Sequence, residues 1–173
     1  MLHKFRDKDN FVKELSLVLE LDGNIIGHVM FAKAKVNLPG GSCKEVHTFG
    51  PFSIKPQYQK QGYGEYLLKH ALTRAEKSGV KVLLVCGDLN YYQKFGFKLA
   101  SSRNVRYGFA EENDSTVPYF LIKEFDEGYF NATPCEYEDP DEYFVADIFK
   151  DEFEKFDATF PYMEKKKLAG QIF

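Results

Sequence analysis

At 173 residues, with 23 Lys and Arg against 26 Asp and Glu, the chain has a formal net charge of −3, which excludes a uniformly basic nucleic-acid binder. The length suits one domain of the usual roughly 100–150 residues, and 44% hydrophobic residues, with 17 Phe and 11 Tyr, can build a packed core rather than a disordered chain. No apolar run approaches the roughly 20 residues that span a bilayer; the charged start is unlike a signal segment, and Cys43, Cys86 and Cys135 form neither a zinc-ligand spacing nor a disulfide framework, so no metal site and a reducing, cytoplasmic setting are expected.

Leu15 to Leu21 reads as a strand, Asp22-Gly23-Asn24 as a tight turn, and Ile25 to Val36 as the second strand of a hairpin. Residues 37–42, Asn-Leu-Pro-Gly-Gly-Ser, are a loop by composition. Val46 to Ile54 is a third strand, interrupted at Gly50-Pro51, where proline brings no ladder donor and a bulge or splay is expected. Residues 55–64 lead into the clearest helix, with Tyr66, Leu67, Ala71, Leu72 and Ala75 on one stripe and Lys69, Arg74 and Lys77 on the wet side. Ser78-Gly79 stops it, and Val80 to Cys86 is a short buried strand, parallel to the one before the helix. Asp88 caps a short helix through Phe95, ended by Gly96. Phe97 to Ala100 and Pro118 to Phe125 read as the last strands, and Tyr143 to Phe156 as an amphipathic helix. The order predicts an α+β fold, a mixed αβ sandwich, with residues 1–128 as the core and residues 129–173 as an acidic, aromatic extension packed on it. Charge divides along the same line: residues 1–110 hold 17 bases and 9 acids, residues 111–160 only 3 bases against 16 acids. The acidic stretch is read first as a solvated surface, and second as a field that draws in a cationic substrate.

The segment Gln59-Lys60-Gln61-Gly62-Tyr63-Gly64 carries the sharpest chemical signal. Glycines one residue apart before a helix let a ligand approach the backbone, while the free N–H groups and dipole of the first turn favour an anion such as a pyrophosphate. A tight strand-to-helix turn would use the same glycines. Two familiar phosphate loops fail on the letters. Gly64 is followed by Glu65 and Tyr66 rather than by lysine and a hydroxyl, and Leu67 stands where a dinucleotide fingerprint needs its third small residue.

Gln59 to Gly64 resembles the Gln/Arg-x-x-Gly-x-Gly/Ala motif of the GNAT superfamily of N-acetyltransferases. Gly50 to Pro56 resembles that family's strand leading into the loop, Tyr91 to Phe97 its Tyr-x-x-x-Gly-Phe helix ending, and Gly27 its hairpin glycine. The resemblance covers about residues 15–125. It implies a GNAT-like acyl-CoA N-acyltransferase fold with a splayed central sheet holding acetyl-CoA as cosubstrate. Phe52, Ser53 and Ile54 would bind the pantetheine arm, and Gln59, Lys60, Gln61, Gly62, Tyr63 and Gly64 the pyrophosphate. It also implies direct attack of a small-molecule or peptide amine on the thioester, with Tyr92 as the general acid for the departing thiolate. A carboxylate is often found on the strand before the loop; here that stretch offers His47, with Glu45 just upstream, as candidate bases, or a water chain. Cys86, in a buried apolar strand, is expected to be inert. A strand and helices usually precede the hairpin in this family. Residues 1–14 read as a charged loop or helix remnant, so the first strand and first helix are expected to be lacking, which leaves an open edge on Leu15–Leu21 for a homodimer. The rival readings are an acyl-CoA-binding sensor or partner subunit without catalysis, and a generic phosphate binder.

Overall fold

The computed structural model describes residues 2–110, 117–130, 133–162 and 164. In chain order the principal elements are α1 (Leu2–Phe5), β1 (Phe11–Leu21), β2 (Asn24–Asn37), β3 (Cys43–Ile54), α2 (Tyr63–Lys77), β4 (Val82–Cys86), α3 (Leu89–Tyr92), β5 (Lys98–Leu99), β6 (Val105–Tyr107), β7 (Phe120–Glu124), β8 (Cys135–Glu138), α4 (Val145–Ile148) and α5 (Lys150–Asp157). The strands form one sheet in the order β5-β7-β4-β3-β2-β8-β6, with β1 also paired to β2. This is the expected α+β class.

The β1–β2 hairpin closes on Asp22 and Gly23, both at positive φ (49° and 75°), the two-residue turn whose twist matches paired strands. Between β2 and β3 the register slips: Val29 faces Phe52 and Phe31 faces Phe49, so Gly50 and Pro51 together oppose one residue. The predicted interruption is therefore a bulge. On the other side of β3 the parallel ladder to β4 holds one bridged pair, His47 with Leu83. Past it the two strands part, and Thr48 to Ile54 have no strand partner on that side among the described residues.

Helix α2 buries Leu67, Leu68, Ala71, Leu72 and Ala75 against the sheet. Tyr66, expected on that stripe, is 65% exposed. It lies more than half a helical turn from Leu68, which takes the central position instead. The helix ends in a Schellman motif, with the Val80 N–H donating to the Ala75 carbonyl and Gly79 at φ 86°. One apolar cluster lies under α2; a second, with Tyr107, Phe120, Phe130 and Tyr137, occupies a separate part of the sheet.

Two expectations need correction. The segment after residue 128 is not simply an extension packed on a finished core, because β8 joins the sheet between β2 and β6. Cys135 and Tyr137 point into the core while Glu136 meets Arg106 and Glu138 meets Lys35, an alternation that the acidic composition conceals. The expected helix over 143–156 is broken: a 3-10 turn over Asp141–Phe144 precedes α4, and Phe149, at φ −120° and ψ 49°, separates α4 from α5. Residues 165–173 of the expected extension lie outside the described residues. At the front, the short α1 is anchored by a fully buried Phe5, whose ring meets Tyr143 edge-on at 5.0 Å. No strand precedes β1 among the described residues, and no described helix is long and apolar enough to cross a membrane.

Candidate active site

The loop from β3 into α2 is held by its own glutamines. Gln59 Nε2 donates to the Ile54 carbonyl (2.9 Å) and Gln61 Nε2 to the Gln57 carbonyl (2.8 Å). Lys60 (φ 58°) and Gly62 (φ 88°) both sit in the left-handed region, which turns the chain abruptly into the helix. The helix's internal ladder opens with the Tyr66 N–H donating to the Gly62 carbonyl (3.0 Å), so the N–H groups of Tyr63, Gly64 and Glu65 have no acceptor within the helix, an arrangement that favours a nearby anion. Gly64 serves packing: a Cβ there would lie 3.2 Å from the Tyr91 hydroxyl and 3.6 Å from both Ile54 and Phe52. Tyr63 meets Tyr58 edge-on at 6.1 Å. Glu65 would oppose an anion here, but Lys69 and Lys94 each reach it at 2.7 Å, and their hydrogen bonds pull its carboxyl down to about 2.

Where β3 and β4 part, a cavity of about 550 Å³ opens. Thr48, Phe49, Pro51 and Phe52 line it from β3 and the bulge, Cys86 from the end of β4, and Tyr92 from α3. The opposite wall is Tyr107, Asp139, Tyr143, Phe144 and Asp147. Tyr92 is wedged among Phe49 (6.0 Å), Phe97 (5.4 Å) and Tyr91 (5.1 Å). Its ring occupies the space beside Gly87, where a Cβ would fall 2.4 Å from Tyr92 Cε2, so only glycine fits there. Burial, and then the neighbouring Tyr91, raise the Tyr92 hydroxyl above the usual phenol value; it stays protonated and able to donate.

Asp139 follows β8 directly and receives two hydroxyl donors, Tyr107 to Oδ2 at 2.7 Å and Tyr137 to Oδ1 at 2.8 Å. Burial raises its pKa above the ordinary aspartate value, and these two hydrogen bonds only partly offset that. A carboxylate raised in this way is a better proton acceptor than an exposed one. Tyr143 donates to the Gly50 carbonyl (3.1 Å) and so ties the bulge to the far wall. Cys86 lies beside Tyr107, and burial followed by the Asp139 charge pushes its thiol up to about 12. It is a poor nucleophile, as the sequence predicts.

The structure does not bring the predicted bases to this cleft. His47 is bridged to Leu83 of β4, where the two strands are still paired, and it is not among the described residues that line the cavity. It is half-buried, with its pKa lowered by burial, while the nearby Glu45 opposes that effect. Glu45 pairs with Lys33 at 3.4 Å on the surface. Of the residues expected along the pantetheine arm, Phe52 lines the cavity, and Ser53 and Ile54 are held in the β2 ladder opposite His28 and Gly27. Asp139 was missed because it sits in a tract of acids; the signal was the alternation of Cys135 and Tyr137 before Asp139-Pro140, a buried strand running into a turn.

Residues 2–97 match the acetyltransferase (GNAT) family. The uncharacterised N-acetyltransferase YjhQ of Escherichia coli K12 is 29% identical over 84 residues, covering 49% of this chain and 46% of YjhQ. The uncharacterised N-acetyltransferase YhbS of the same organism is 26% identical over 106 residues, 61% of each chain. The chain thus spans between about half and three fifths of these two curated relatives. The crystal structure of E. coli YhbS in complex with CoA superposes with a TM-score of 0.62 at 25% identity, over 79% of this chain and 73% of that one. With a family match over more than half its length and the fold to go with it, the chain belongs to the acetyltransferase (GNAT) family.

Proposed function

We propose that this protein is an acetyl-CoA-dependent N-acetyltransferase that moves an acetyl group to a primary amine by direct attack on the thioester. One observation carries this reading: Tyr92, a protonated donor, and Asp139, a carboxylate with raised proton affinity, face a single cavity at the point where β3 and β4 part. Acetyl-CoA would lay its pantetheine along Phe52 to Ile54, on the edge that β4 leaves open, and its pyrophosphate over the N-terminus of α2 at Gln59 to Gly64. The CoA held by YhbS, whose fold this chain shares, supports that placement.

In the reaction the acceptor first loses its ammonium proton to solvent, and the neutral amine nitrogen then attacks the thioester carbonyl carbon. Its excess proton passes to Asp139, directly or through a water; the C–S bond breaks, and the departing thiolate takes the Tyr92 hydroxyl proton. The two groups return to their starting states by exchanging one proton with solvent. Asp139 takes the role that the sequence offers to His47 and Glu45. The free thiols of Cys43, Cys86 and Cys135 are in keeping with work in the reducing cytoplasm.

The test is calorimetric titration with acetyl-CoA, followed by free-thiol release against a panel of primary amines, for the wild type, Tyr92→Phe and Asp139→Asn. The reading expects acetyl-CoA binding in all three and amine-dependent thiol release strongly reduced in both variants. Acetyl-CoA binding without thiol release by the wild type under any amine would replace it with the sensor reading.

A further inference from the structure

The walls of the cleft also bear on which amine is accepted. Building on the transferase reading, we infer that the acceptor is a cationic amine with an apolar or aromatic body and no carboxylate beside its nitrogen, which sets amino acids outside its substrate class. Two carboxylates line the acceptor wall: Asp139, partly buried, and Asp147, exposed at the mouth. The rings of Tyr107, Tyr143, Phe144 and Phe49 line the same cavity. An ammonium group entering this space meets opposite charge and ring faces, both of which attract it.

A substrate carboxylate meets the reverse. None of the described residues lining the cavity is Lys, Arg or His. The hydroxyls are also committed: those of Tyr107 and Tyr137 donate to Asp139, and that of Tyr143 donates to the Gly50 carbonyl. The Thr48 hydroxyl lies beside those of Tyr137 and Tyr143. Tyr92 also lines the cavity, and the reaction needs its hydroxyl proton for the thiolate. A second anion held near Asp139 would be desolvated, unpaired and repelled, and like charges brought together at a binding surface cost enough to set specificity.

The experiment compares three acceptors that share one body: 2-phenylethylamine, phenylalaninamide and phenylalanine. The amide carries a neutral substituent where phenylalanine has its carboxylate, so it separates charge from bulk. Using thiol release at saturating acetyl-CoA, kcat/KM for phenylalanine should fall about 100-fold or more below that for 2-phenylethylamine, with the amide within about 10-fold. Asp147→Lys should narrow the phenylalanine gap by about 10-fold and leave acetyl-CoA affinity unchanged. Phenylalanine used within about 3-fold of 2-phenylethylamine, or a gap unmoved by Asp147→Lys, overturns the inference. Binding of the three compounds to the CoA-loaded protein, read by calorimetry, must show the same order. If no amine is acetylated, the transferase reading falls, and that binding order alone decides this inference: equal binding of phenylalanine and 2-phenylethylamine refutes it.

Discussion

Replacing Tyr107 or Tyr137 by Phe removes one hydroxyl from Asp139 and leaves the ring in place. Each hydroxyl donates to a separate carboxylate oxygen, at 2.7 and 2.8 Å. These bonds stabilise the charged form, so their loss raises the Asp139 pKa further above its already raised value. A hydrogen bond to a charged group contributes about 1.5–3 kcal/mol. At 1.36 kcal/mol per pKa unit, each substitution should raise the Asp139 pKa by about 1–2 units. A base must be unprotonated to act, so the acid limb of the kcat/KM profile should move to higher pH by that amount. The acceptor's own titration contributes equally to wild type and variant, so with one amine throughout, the difference belongs to the enzyme. The assay is free-thiol release from acetyl-CoA at steps across the acid limb. A variant that is active, folded and unchanged in its acid limb would remove Asp139 from the role of base.

Stability and activity should part at the same residue. Because burial raises the folded-state pKa of Asp139, its contribution to stability is fully present below the unfolded carboxylate value and is lost as pH rises through the folded value. Asp139→Asn removes that loss, so its Tm relative to wild type should improve from acid to neutral pH while its turnover falls; a pH-independent difference in Tm refutes the assignment. Tyr92→Phe should lower kcat by about 10²–10⁴ with acetyl-CoA affinity within about 2-fold, because general acid catalysis contributes on that scale. Gly87→Ala must displace the Tyr92 ring, which lies 2.4 Å from the added Cβ, and should lower kcat while calorimetry still finds acetyl-CoA bound. Phe5→Ala should cost about 3–5 kcal/mol by urea denaturation, since its fully buried ring supports Tyr143 and the far wall of the cleft.

The parts read correctly from sequence are those whose signal is local. Asp22-Gly23 selects its hairpin turn by positive φ, Gly50-Pro51 disrupts a ladder wherever it stands, and Gly62 and Gly79 punctuate one amphipathic helix at either end. The acceptor wall is non-local. Tyr107, Tyr137, Asp139 and Tyr143 come from the last two fifths of the chain, and they reach the cleft only because β8 inserts beside the C-terminal half of β2 while β1 occupies the N-terminal half. Strand β8 is only four residues long, contains Glu136 and Glu138 and runs into Asp139, so composition points to surface where pairing makes core. The same non-locality explains His47. Its residue type suits a base, yet it stands where β3 and β4 are still bridged, one residue short of Thr48, at which the cavity lining begins.

The cleft is proposed to join an acetyl group to an amine between Tyr92 and Asp139. This is tested most directly by incubating the wild-type protein with acetyl-CoA and 2-phenylethylamine and measuring the N-acetyl product by mass spectrometry against the thiol released. Product and thiol should form in equal amounts, dependent on both substrates and reduced by about 10²-fold or more in Asp139→Asn. Acetyl-CoA bound but no amide formed, or amide formed as fast by Asp139→Asn as by wild type, would contradict it.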